Sequence, residues 1–451
     1  MNLTDLGRHR RIGANCLLAE IGPFRVLVDA GLDPKGVGRE STPNFELLGD
    51  APLDLVVLTH CHLDHLGSMP IVFRHQPTAL YVTSRASQLL AQRMLRNSVN
   101  VMKRQRDELR IPELPLYTFS EVDAFDSALM GLPFGQERTI TRDGEELTFC
   151  LHRAGHIVGA AGLSLVYKHR RIFFTGDVMF NPQATIEGAD FPEVPTDTLV
   201  METTRGATGR VPDKTRDTEI ERLISTIDHT LSRGGSALIP VFALGRMQEL
   251  LFLLNEARKR GNLPKCPVFC SGLGMDLVDY FDTIARKVGG LNFRRSLLKE
   301  LDVRRPPNFS PGRNPGERGI YLLSSGMLVE HTPSYQAAAA MIEDTANTIC
   351  FVGYCDPETP GGELLATSHG DSFLFSVLDY AAPVRAHVER FDLSGHAYRD
   401  ELAEFALRLD PRAIALTHGD ADARDWFFDH LMEIDPKMQV SDLLPCKTTQ
   451  L

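Results

Sequence analysis

No stretch of the 451-residue chain approaches the roughly 20 consecutive apolar residues that a membrane-spanning helix needs, so no helical anchor is expected. The opening "MNLTDLGRHRRIG" has no apolar core segment and predicts no secretory signal. Cysteine is sparse and scattered: the 8 residues, at 16, 61, 150, 266, 270, 350, 355 and 446, form no CxxC pair and no compact framework. That excludes a disulfide scaffold and predicts reduced thiols in a cytoplasmic protein. Internal repeats, low-complexity tracts and signatures of the common RNA-binding modules RRM and KH are all missing. Positive charge is in the minority as well. A net charge of −11, taken alone, argues mildly against a nucleic-acid partner. The charge is uneven, however, and residues 258–318 carry 13 Lys and Arg against 6 Asp and Glu.

What is present suggests two or three domains, because the length exceeds one ordinary core. The first two hundred residues read as strands with few helices. "CLLAEIG" and "FRVLVDAG" form a predicted hairpin around Gly22-Pro23, "DLVVLTH" a buried strand, and 85–109 a long amphipathic helix. After Gly206 helix and strand alternate, which implies a parallel α/β unit. The Pro-, Gly- and Arg-rich segment 292–318 reads as loop, and the earlier style resumes near Asp371. The simplest topology is one domain, 1–207 and 371–451, interrupted by a second at 208–370.

The chemistry concentrates in "LTHCHLDHLG". His60, His62, Asp64 and His65 follow the spacing H-x-H-x-D-H directly after a buried strand. Imidazole nitrogen and carboxylate oxygen are ligands that divalent zinc prefers. Alternate residues of an extended segment point the same way, so His60 and His62 can share one metal. A turn at Leu63 would then carry Asp64 and His65 to a second. Two metals about 3.5–4 Å apart can clamp both oxygens of an in-line displacement.

With this motif the sequence resembles the metallo-β-lactamase superfamily. The resemblance implies an αββα sandwich with its metals at one edge, and further ligands at strand ends. Asp29 in "RVLVDAG" resembles the family's supporting aspartate, His156 in "AGHIVGAAG" a third ligand beside His60 and His62, and Asp177 in "FFTGD" a carboxylate bridging both metals. The interruption after Gly206 narrows the resemblance to the β-CASP nucleases. "LVMETTRG" resembles their motif A with Glu202, "FDLSGHAYRDEL" motif B with His396, and "AIALTHGD" motif C with His418. "LIPVFALGRMQELL", "SSGML" and "GYCDPETPGGELL" look like parts of the inserted parallel α/β domain. The match spans roughly residues 1–420.

The resemblance implies a two-zinc ribonuclease that hydrolyses a phosphodiester in a cleft between its domains, with a metal-activated hydroxide as nucleophile. His60, His62 and His156 would hold one ion, and Asp64, His65 and His418 the other, with Asp177 between them. Asp64 would also orient the hydroxide. His396 would be the general acid, held by Glu202. His418 points to single-stranded RNA, because DNA-directed members tend to have valine at motif C. Ser324, Ser325, Gly326 and Arg246 are candidate phosphate contacts by resemblance, and Arg294 and Arg295 lie in the basic segment. Three departures bear on substrate preference. Arg205 stands where relatives commonly have tyrosine, Tyr398 where they have aspartate, and the loop "GRHRRIGAN" is more basic than typical. The alternatives are a thioester, lactone or lactam hydrolase on the same fold, and a DNA-directed nuclease. Endo- or exonuclease action stays open, as does the oligomeric state, a homodimer being one option.

Overall fold

The computed structural model describes all 451 residues. Its contacts divide the chain into two units, Met1–Pro182 with Glu187–Arg210 and His396–Leu451, and Gln183–Ile186 with Val211–Gly395.

The first unit follows from strands that are apolar on both faces. In Arg170–Phe174, Ile172 and Phe174 enter one core while Phe173 enters another, because successive side chains of a strand point to opposite faces. Such a sheet needs cover on both sides. One seven-stranded sheet runs, in order, Thr448–Gln450, Asn2–Asp5, Leu17–Ile21, Phe24–Val28, Leu55–Val57, Leu80–Ser84 and Leu129–Leu132. The other runs Gln439–Asp442, Ala413–Thr417, Thr198–Glu202, Arg170–Phe174, Ala161–Tyr167, Glu145–Arg153 and Arg138–Arg142. Each is antiparallel on one side and parallel on the other, with Phe24–Val28 and Arg170–Phe174 at the change. Their inner faces meet through Val26, Leu55 and Val82 from one sheet and Phe149, Leu163 and Val200 from the other. Each such fully buried side chain contributes about 1.5–3 kcal/mol.

Helices cover both outer faces. Arg399–Arg408 and Ala421–Ile434 lay Leu402, Phe405 and Phe427 on the second sheet. Arg85–Leu109 spans the segment its apolar spacing predicts and buries Leu90, Met94, Leu95, Val99 and Met102. The Ser84 side chain accepts the Ser87 amide at its start, replacing a bond the first turn lacks. The layers are thus helix, sheet, sheet, helix, as the resemblance implies.

The second unit has a six-stranded sheet that is parallel throughout, in the order Val303–Arg304, Val268–Cys270, Ile320–Leu323, Ala237–Pro240, Thr348–Val352 and His387–Phe391. Its central strands are buried end to end, which explains their continuous apolar runs. Two expectations differ in detail from the contacts. By contacts the interruption runs to Gly395, not 370. Strand His387–Phe391 pairs with Thr348–Val352, and Phe373 and Phe375 of a small hairpin enter the second unit's core. Apolar alternation in "PVRAHVERF" identifies a strand but not the sheet it joins. Segment 292–318, expected to be loop, contains the short helix Leu297–Glu300 and the strand Val303–Arg304. No helix is long and apolar enough to cross a membrane.

Candidate metal centre

The first unit gathers its polar side chains at the carboxyl ends of parallel strands. Asp29 follows Phe24–Val28, His60 lies beyond Leu55–Val57, Asp177 beyond Arg170–Phe174, Glu202 closes Thr198–Glu202, and His418 follows Ala413–Thr417. There the chain leaves its ladder and the loops can converge, the usual place for a site in an open α/β sheet. Asp29 and His418 adopt left-handed backbone, with φ of 63° and 46°, which turns each side chain out of its strand. A helix starting at Leu63 sends the amides of His65 and Leu66 to the His62 carbonyl at 3.1 and 2.9 Å. This is the turn that swings Asp64 and His65 away from His60 and His62. Gly31 lets the two loops touch, because a Cβ there would lie 1.7 Å from the Asp64 carbonyl oxygen. Gly31→Ala is therefore expected to cost about 1–3 kcal/mol in stability and to weaken metal binding. Thermal unfolding and metal titration check this, and an unchanged Tm with unchanged affinity would refute it.

Two clusters result. In one, His62 Nδ1 lies 3.2 Å from His60 Nε2 and 3.1 Å from His156 Nε2. In the other, His65 Nε2 and His418 Nε2 are 3.2 Å apart, with Asp64 Oδ2 at 3.5 Å from His418 and 3.8 Å from His65. Asp177 joins them. Its Oδ2 lies 3.6 and 3.7 Å from His60 and His156, and its Oδ1 3.4 Å from His65. All seven sequence-predicted ligands are brought together.

The surrounding hydrogen bonds decide what these nitrogens offer. Asp29 is fully buried and accepts from His65 Nδ1 at 2.7 Å, Thr59 Oγ1 at 2.7 Å and the Thr59 amide at 2.7 Å. Since Thr59 Oγ1 spends its proton on Asp29, it accepts from His60 Nδ1 at 3.1 Å. Thr204 Oγ1 lies 3.1 Å from His418 Nδ1 and 3.3 Å from the His418 carbonyl, to which it donates. Nδ1 of His60, His65 and His418 is thus engaged by Thr59, Asp29 and Thr204, and their Nε2 atoms face the neighbouring nitrogens and carboxylates. Lone pairs 3 Å apart repel unless a cation sits among them. Asp177 Oδ1 and His62 Nε2 are moreover buried without a hydrogen-bond partner. This donor set fits a metal ion.

The electrostatics agree. Burial opposes charge on Asp64, yet His65 and a hydrogen bond from His418 hold its carboxyl down to about 2. Burial likewise opposes charge on Asp177, but His418, His65 and His60 keep it well below the usual range. Burial, reinforced by His65, pushes the His60 imidazole well below its ordinary value. The carboxylates stay ionised and the His60 and His62 imidazoles are pushed toward neutral, the forms in which both bind metal. Burial opposes charge on His65, but Asp177, Asp29 and Asp64 raise its pKa well above the ordinary value, so an ion entering the second cluster displaces a proton.

Beside the clusters, His396 Nδ1 bonds Glu202 at 3.0 and 3.1 Å. Glu202 is buried, and also accepts the Val178 amide at 2.7 Å. The His396 ring lies 4.4 Å from that of His156. Burial works against its positive charge, but Glu202 outweighs burial and raises its pKa. Arg205 and Tyr398, both unusual against the resembled family, touch each other, with the guanidinium 4.0 Å from the ring centroid.

Sequence reasoning missed Thr59, Thr204 and Asn15, whose Nδ2 donates to Asp29 at 3.3 Å. Each is adjacent to a motif, yet nothing in its type marks it. The six residues proposed as phosphate contacts all lie in the second unit and take no part in this convergence. Arg246 is paired with Glu249, Arg295 with Asp279 at 3.0 Å, and Ser325 Oγ accepts the Val329 amide at 2.9 Å. Arg294 is exposed, Ser324 half-buried and Gly326 buried.

Three family models match the chain. They are a beta-lactamase superfamily domain over residues 24–205, a Beta-Casp domain over 247–364, and a Zn-dependent metallo-hydrolase RNA specificity domain over 381–440. The chain is similar to the transcription termination factor FttA of Thermococcus kodakarensis, at 30% identity over 93% of this chain and 67% of that one. It is also similar to the cleavage and polyadenylation specificity factor 73 of Drosophila melanogaster, at 24% identity over 93% of this chain and 60% of that one. It thus spans about two thirds or less of the length of these relatives. A crystal structure of a protein of unknown function from Enterococcus faecalis V583 shares the fold, with a TM-score of 0.54 at 12% identity, covering 100% of this chain and 99% of that one. With its inserted unit and strand-end metal site, the chain belongs to the β-CASP nuclease family of the metallo-β-lactamase superfamily.

Proposed function

We infer that this chain is a zinc-dependent ribonuclease that cleaves phosphodiester bonds of single-stranded RNA, with two zinc ions as its working cofactor. The observation that carries this is Asp177 standing between two histidine clusters, with the Glu202-held His396 beside them. A thioester or lactam hydrolase has no need of that second pair. RNA is favoured over DNA because the match to an RNA specificity domain includes both His396 and His418. The relatives named for transcription termination and for cleavage and polyadenylation point the same way.

In this reading His60, His62 and His156 would hold one ion and Asp64, His65 and His418 the other, with Asp177 within reach of both sets. Zinc in such a site neutralises phosphate charge and lowers the pKa of water to about 7. The protein's own groups do the rest. Asp29 and Thr59 engage Nδ1 of His65 and His60 and so orient these imidazoles. Asp64, ionised down to about pH 2, accepts a hydrogen bond from the attacking hydroxide and aims it at phosphorus. His396, with Nδ1 held by Glu202, is the group that protonates the leaving oxygen, through Nε2–H.

The test is cleavage of 5′-labelled single-stranded RNA by zinc-loaded protein, beside a matched DNA strand and a chelator-treated sample. Cleavage of RNA alone, abolished by the chelator, is expected, and product lengths distinguish endo from exo action. A folded, two-zinc protein that leaves RNA intact would sink the proposal.

A further inference from the structure

Next to the metal centre, within the first unit, a small polar cavity of about 20 Å³ is lined by residues of the loop 7–15. Its lining includes Asn15 and His418, the guanidinium groups of Arg8, Arg11 and Arg424, and the carboxylates of Asp5, Asp33 and Glu40. Most of the charge around it is matched inside the protein. Arg11 Nη2 bonds Asp33 at 2.9 Å, Asp5 accepts the Gly7 amide at 2.8 Å, and Arg424 is buried against the Gly419 carbonyl and Asp442. Two donors are left over. Arg8 is held through Nε by the neutral Thr42 carbonyl at 2.8 Å, with Glu40 lining the same cavity. Arg11 Nε is buried with no hydrogen-bond partner. Orphaned guanidinium donors facing a cavity call for an anionic acceptor.

The position says which anion. His396 stands on the His156 side, its ring 4.4 Å from His156 and 6.3 Å from His418. The cavity opens on the His418 side. Resting on the ribonuclease reading, we propose that this cavity holds the phosphate of the nucleotide next to the scissile bond, on the side away from the leaving group. Arg8 and Arg11 are its donors. They are positioning residues: they set strand register and leave the chemistry to the metal-site side chains.

The test compares the zinc-loaded full chain with the R8A/R11A double variant on a labelled oligouridylate and on bis(4-nitrophenyl) phosphate, which has no neighbouring nucleotide. Loss of charge-assisted hydrogen bonds predicts a drop of about 10–100-fold in kcat/KM on the oligouridylate, carried mainly by KM. The small diester should lose several-fold less. The salt dependence on RNA should become shallower by about 0.7 in the log–log slope for the one phosphate neutralised. Retaining the charges with R8K/R11K should restore part of the KM. Equal losses on both substrates, or none on RNA, would overturn the subsite. If the wild type hydrolyses the diester but no RNA, the ribonuclease reading fails, and inhibition of diester hydrolysis by uridine 5′-monophosphate then decides. An inhibition constant raised about tenfold in the double variant supports an anion subsite, and an unchanged one overturns it.

Discussion

His396→Ala should lower kcat on RNA by about 10²–10⁴-fold, the range that a positioned general acid contributes, while zinc content stays at the wild-type level. The distinction rests on geometry. His396 spends Nδ1 on Glu202 at 3.0 Å. Although it also stands within ligand distance of His156 and Asp177, His60, His62 and His156 already form one set of three and Asp64, His65 and His418 the other. The wild-type profile carries a second signature. Burial disfavours the imidazolium, but Glu202 overcomes burial and raises the His396 pKa. A raised pKa keeps the acid protonated below it, and activity falls as pH rises through it, so the alkaline limb should lie above the ordinary histidine value. Glu202→Gln removes the compensating charge and should move that limb to lower pH while kcat falls less than in His396→Ala. Loss of zinc from His396→Ala would reassign the residue to the metal site, and an unmoved limb in Glu202→Gln would detach it from the acid role.

Asp177→Ala should be the more severe lesion. The carboxylate is buried and faces both clusters, 3.4 Å from His65 and 3.6 Å from His60. Its removal leaves facing imidazoles without the anion that compensates a bound cation. The several kcal/mol that such metal sites supply to a transition state correspond to about 10³-fold or more in rate. Metal analysis should show less than the wild-type content, and cleavage should vanish from the assay. Asp29→Ala makes a useful contrast. It acts through His65 and Thr59, and loss of such a supporting carboxylate typically costs about 10–100-fold in affinity or activity. If Asp177→Ala kept full zinc content and cleaved RNA normally, a shared site would be excluded.

The residues differ in how legible they were. His60, His62, Asp64 and His65 could be read directly, because two periodicities act within six residues. The extended segment aligns the first pair, and the helical turn at Leu63 redirects the second. Asp29, His156, Asp177 and His418 were legible as strand-end residues in a resembled order. Thr59 and Thr204 were not, because a threonine beside a histidine looks like any other. Only the bond of Thr59 Oγ1 to Asp29 shows that it accepts from His60. The contact of Arg205 with Tyr398 joins residues 193 positions apart and has no local signal.

By itself the sequence determined the element types, the long helix 85–109, the layered α/β class and the ligand-bearing motif. These depend on spacings of two to four residues, which a strand or helix converts directly into a face. The tertiary structure alone decided that Asp177 falls between the two clusters, that Arg8 and Arg11 share a cavity with His418, and that strand His387–Phe391 joins the second unit's sheet. Each of these depends on which distant strands pair and in what register. That choice is made by burying both faces of a sheet at once, a condition that no local pattern contains.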